Sequence, residues 1–70
     1  MKPWNTPTLN KGETILETIG DCHLSIDHVD RTLDPYLAGV IWHDVIVYTG
    51  LHATLADARQ KCEAKAYEAL

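Results

Sequence analysis

Apolar and polar residues alternate most cleanly over residues 22–29. Cys22, Leu24 and Ile26 fall on one side, His23, Ser25 and Asp27 on the other. A strand sends neighbouring side chains to opposite faces, so this spacing predicts a half-buried strand. Upstream, residues 13–19 are rich in β-branched types (Thr14, Ile15, Thr18, Ile19) and read as a strand as well. Gly20-Asp21 joins the two with glycine in the first position, the pattern of a type II′ hairpin turn. Residues 36–42 and 45–49 are apolar at nearly every position and predict two further strands. His43-Asp44 between them lacks glycine, so one long bulged strand competes with a hairpin; we read a hairpin.

The period then changes. Leu55, Ala58, Cys62, Ala66 and Ala69 recur at helical spacing and predict a C-terminal helix with a narrow stripe of small residues. Thr54 precedes it as N-cap, and Asp57 stands at the third helical position, close to a capping box. Asp57–Lys61 and Arg59–Glu63, four residues apart, suit an exposed face. Residues 1–12 show no period, and Pro3 and Pro7 favour extended backbone before them. They are expected to form a flexible arm unless something holds it. Trp4 either folds back onto the domain or anchors a partner. The expected architecture is α+β: an antiparallel sheet of three to four strands over residues 13–70, with one helix on one face.

Size limits the possible chemistry. Seventy residues make one small domain, with little room for both a core and a substrate pocket of roughly 300 Å³. No apolar run reaches the ~20 residues a bilayer span needs, and the first twelve residues lack the apolar core of a signal peptide. A cytoplasmic chain is expected. Cys22 and Cys62 then read as free, buried thiols. The formal net charge is −4, and Asp21, Asp27, Asp30 and Asp34 face only Arg31 across residues 21–34. Without a basic patch, direct nucleic-acid binding is not expected. The acidic stretch is read as a solvated loop, and as compatible with a basic protein surface.

No constellation of catalytic residues stands out. Cys22, His23, His28, His43, His52 and Cys62 invite a metal, but adjacent Cys22-His23 point to opposite faces and no second pair answers them. Ser25 lacks a glycine elbow, and a Cys62–His52 pair would place its thiol on the core stripe. Neither an enzyme nor a metal or cofactor is expected.

What remains is an excess of apolar surface. In residues 36–49 both strand parities are apolar, and one helix covers one face. Some combination of Tyr36, Val40, Trp42, Ile46 and Tyr48 is expected to face something else: the arm with Trp4, a second copy, or another protein. Candidate partner-binding residues are Trp4, Tyr36, Trp42 and Tyr48 as aromatic anchors. Asp30, Arg31 and Asp34 are added as charges that orient encounter.

The stretch VIVYTGLHATLADARQKCEAKAYEAL, with Thr54, Leu55, Asp57, Ala58 and Arg59 at the turn into the helix, resembles the closing strand and helix of small phage and prophage proteins. It is also similar to the end of HicB-type antitoxins. The resemblance implies a phage-encoded, non-enzymatic regulator that binds a bacterial host complex in the host cytoplasm. RNA polymerase is the first expected target. The alternative is a homodimeric antitoxin-like or anti-defence protein, anti-CRISPR or anti-restriction.

Overall fold

The computed structural model describes all 70 residues. Four strands, β1 (Thr14–Ile19), β2 (Cys22–His28), β3 (Tyr36–Trp42) and β4 (Val45–His52), precede one helix, α1 (Leu55–Ala69). The strands form an antiparallel meander in the order β1-β2-β3-β4. The α+β class, the strands and the helix are therefore as the sequence predicts. β4 runs three residues past the expected Thr49, to His52.

Both hairpins follow from their turns. Gly20 sits at φ +57, as a glycine-first two-residue turn requires. His43 and Asp44 both take positive φ (48° and 64°), the type I′ conformation usually given to Asn-Gly. Side-chain contacts help hold this strained pair: His43 lies edge-on to Trp42 with ring centroids 4.3 Å apart, and its Nε2 is 3.4 Å from an Asp21 carboxylate oxygen.

The alternation in β2 decides which face is covered. Cys22, Leu24 and Ile26 pair with Trp42, Val40 and Ala38, so these share one side of the sheet. There they meet Leu55, Ala58, Cys62 and Ala66 of α1, and these residues are buried, with Trp42 only partly so. The small helix residues let the backbone lie close on the sheet. Each fully buried Leu, Ile or Val contributes about 1.5–3 kcal/mol.

Residues 1–12 are docked rather than free, with Leu9 and Thr6 buried. Arg59 donates to the Thr6 carbonyl (2.6 Å), and Trp4 Nε1 donates to Glu63 (3.0 Å). The expected Arg59–Glu63 pairing on α1 is replaced by these two contacts to the arm. His28 Nδ1 is 2.6 Å from the Leu9 carbonyl; an oxygen there only accepts, so Nδ1 carries the proton. Helix and arm thus lie on the same side of the sheet.

Candidate functional site

The opposite side has no cover. It presents Leu16 from β1, His23, Ser25 and Asp27 from β2, Leu37, Gly39 and Ile41 from β3, and Ile46, Thr49 and Leu51 from β4. Leu16 is 53% exposed, Ile46 65%, and Leu37, Ile41 and Leu51 between 36% and 40%. Isolated exposed apolar residues are ordinary, and Leu16 stands apart behind the polar row His23, Ser25 and Asp27; Leu37, Ile41, Ile46 and Leu51 lie together on β3 and β4, and such a group marks an interaction surface.

A bulge brings β4 into this arrangement. Val40 pairs with Tyr48 and Ile41 with Ile46, so Val47 is the extra residue. Before the bulge Ile46 faces out of the open side; after it Thr49 and Leu51 do. At the centre, Gly39 has no side chain. Together with Ser25, Asp27, Leu37, Ile41, Ile46 and Thr49 it frames a depression of about 180 Å³. That is smaller than the roughly 300 Å³ at which small-molecule pockets begin.

Charge is nearly excluded from this side. Of six basic and ten acidic residues, only Asp27 belongs to the open face, and its carboxylate accepts a hydrogen bond from the Thr14 hydroxyl. Elsewhere the charges pair locally: Lys2–Glu13, Lys11–Asp30, Arg31–Asp34 and Lys65–Glu68.

The sequence-derived candidates do not form one site. Tyr36, Trp42 and Tyr48 lie on the helix side, half-buried against the core, and not on the open face with Ile46. The expected mixed aromatic face is corrected on this point. The pairing of β3 with β2 puts the aromatics on the same parity as Leu24, and the bulge separates Tyr48 from Ile46. Tyr36 packs against His28 with the rings tilted 45° and centroids 4.9 Å apart. The Tyr48 hydroxyl is 2.7 Å from His52 Nε2. Trp4 packs on the same side, against α1.

Asp30, Arg31 and Asp34 sit together in the exposed β2–β3 loop. Arg31 Nε and Nη2 donate to the two carboxylate oxygens of Asp34 at 2.6 and 3.3 Å. That fork holds the Asp34 carboxyl below its ordinary range and raises Arg31, while Lys11 lowers Asp30. These loop charges are therefore already largely matched.

The residues that sequence reasoning missed are Leu16, Leu37, Ile41 and Leu51. Only part of the signal is local: β2 assigns its apolar parity to the helix and the tight Gly20-Asp21 turn carries that parity into β1, whereas β3 lies across residues 29–35 and Leu51 beyond the bulge in β4.

The thiols face inward. Cys62 lies against the carbonyls of Ser25 and Gly39, both at 3.9 Å, and burial pushes its thiol up to about 11. Cys22 contacts the Ala66 carbonyl at 3.7 Å. The raised Cys62 thiol is a poor nucleophile at neutral pH. No three His, Cys, Asp or Glu side chains converge as metal ligands. No helix is long and apolar enough to cross a membrane. No family model, curated protein or solved structure matches the chain.

Proposed function

We propose that this chain is a non-enzymatic protein-binding regulator that docks a bacterial host complex through the open face of its sheet. In this reading it is phage-encoded and acts in the host cytoplasm, with RNA polymerase the first complex to test. One observation carries the binding role: helix and arm both cover one side, leaving Leu16, Leu37, Ile41, Ile46 and Leu51 uncovered on the other. The partner surface that fits is largely apolar, because the face offers a single carboxylate there, Asp27, already bonded to the Thr14 hydroxyl. The strand-to-helix resemblance supports the phage setting, and RNA polymerase is the first host complex to test within it.

The test is direct binding of purified bacterial RNA polymerase to the wild-type protein and to Ile46→Lys. Ile46 is 65% exposed, so this change leaves the core alone. Binding by the wild type, weakened about tenfold or more by the lysine (about 1.4 kcal/mol), supports the reading. No binding removes RNA polymerase as target. Binding that ignores Ile46→Lys but fails with Arg31→Ala moves the site to the β2–β3 loop.

A second reading, a homodimeric antitoxin-like or anti-defence protein, is favoured by one feature: β4 is a sheet edge without a charged residue.

A further inference from the structure

The two edges of the sheet are built differently. At β1, the Glu17 carboxylate folds back and accepts a hydrogen bond from the Thr18 N–H at 2.9 Å. Thr18 is opposite His23, one residue from the turn pair Ile19–Cys22. In a two-residue hairpin the turn pair exchanges hydrogen bonds and its neighbour points away. The Thr18 N–H therefore points outward from the edge, and Glu17 occupies it with its own side chain. Self-occupation and a negative charge are the devices by which natural edges refuse further strands.

β4 has neither device. Its sequence, Val-Ile-Val-Tyr-Thr-Gly-Leu-His, contains no Lys, Arg, Asp, Glu or Pro. Counting from the turn pair Trp42–Val45 and past the bulge, Tyr48, Gly50 and His52 bond to β3. The N–H and C=O groups of Thr49 and Leu51 then point outward. No backbone hydrogen bond outside the sheet and helix involves a β4 residue. The bulge at Val47 disturbs only the first part of the strand, leaving Tyr48–His52 regular.

We propose that the β4 edges of two copies pair antiparallel about a two-fold axis over Tyr48–His52, making one continuous eight-stranded sheet. Three considerations select a second copy. An antiparallel strand pairs with itself by symmetry, so the same edge serves as donor and acceptor on both subunits. The edge is uncharged, so two molecules of net charge −4 meet there without like charges in contact. The third is area, and it rests on the open face being the docking surface. Four strands about 4.8 Å apart and about seven residues at 3.3 Å give a face on the order of 450 Å². A standard interface takes about 800 Å² from each partner. One face falls short, whereas two faces joined at their β4 edges, with Thr49 and Leu51 of both copies along the seam, reach it.

The test uses the protein alone, so its outcome is separate from whether RNA polymerase or any other partner binds. Sedimentation across a concentration series is combined with amide hydrogen exchange. The expected result is a reversible species of twice the 7.8 kDa chain mass, with Thr49 and Leu51 amides slowing as it forms. Thr49→Pro removes one outward donor at a position where an edge strand tolerates proline. Leu51→Lys, at a side chain 38% exposed, sets like charges across the seam. At least one of the two, folded by circular dichroism, should remain monomeric where the wild type dimerises. A wild-type monomer at all concentrations overturns the proposal. So does a dimer whose Thr49 and Leu51 amides exchange as in the monomer, since that places the copies face to face.

Discussion

Gly50 shows how one missing side chain organises its surroundings. Its backbone is ordinary, yet a Cβ there would overlap the Tyr48 hydroxyl. The Tyr48 ring thus lies along the strand over Gly50 and ends 2.7 Å from His52 Nε2. Lys65 stands 5.8 Å from the ring centroid on the helix side. Gly50→Ala is expected to swing the ring off His52 and cost about 1 kcal/mol, the usual net value of one hydrogen bond. Because the hydroxyl is the clashing atom, the two changes should not add. In the Tyr48→Phe background, Gly50→Ala should cost less than in the wild type, read as the interaction term of a double-mutant cycle from urea unfolding. Equal costs in both backgrounds would mean that the glycine serves the strand and not the tyrosine.

At the scale of elements, legibility tracked how local each signal is. The helix was readable because its cap and stripe lie within the element: Thr54 Oγ1 accepts from Asp57 N at 3.1 Å, and Leu55, Ala58, Cys62 and Ala66 are buried. The strands of the first hairpin were readable from alternation and a glycine turn. The sidedness of β3 and β4 was not legible from their own residues, since both parities are apolar; it is inherited through pairing with β2 and altered by a bulge that no residue type announces. The His43-Asp44 turn is the least favourable local choice in the chain. Two non-glycine residues at positive φ carry a cost of roughly 1–2 kcal/mol each in the general case, less for Asp. Asp44→Gly is therefore expected to stabilise the domain by about 0.5–1 kcal/mol and raise Tm by several degrees. A lower Tm on thermal melting would show that the Asp44 side chain makes a contact outweighing the strain.

On the scale of the whole molecule, polarity is divided between the two sides of one sheet. The covered side holds both thiols, the four half-buried aromatics Trp4, Tyr36, Trp42 and Tyr48, and nearly all of the core; the exposed charges ring it, and the open side is left almost uncharged. Burial on the covered side has a consequence at high pH. Cys62, fully buried, has its thiol raised from 9.0 to about 11 by desolvation, and Tyr48 is raised by the same cause. For a group whose folded pKa is raised, the stabilisation is complete below the unfolded value and is lost as pH climbs through the folded one. The fold should therefore hold its stability to about pH 9 and lose on the order of 2 kcal/mol between pH 9 and 11 through Cys62. The acid side behaves in the opposite sense. Glu13, lowered by the Asn10 N–H and Lys2, together with Asp30 and Asp34, weakens the fold only as pH falls through their depressed values. Urea unfolding at pH 7, 9 and 11 on the wild type and Cys62→Ala separates the thiol from the rest. The variant should start lower at pH 7, because it leaves a void under Ser25 and Gly39, and then fall less steeply above pH 9. Parallel decline of the two proteins would mean that the Cys62 thiol ionises as freely in the fold as in the unfolded chain. In that case the helix would not seal the covered side of the sheet.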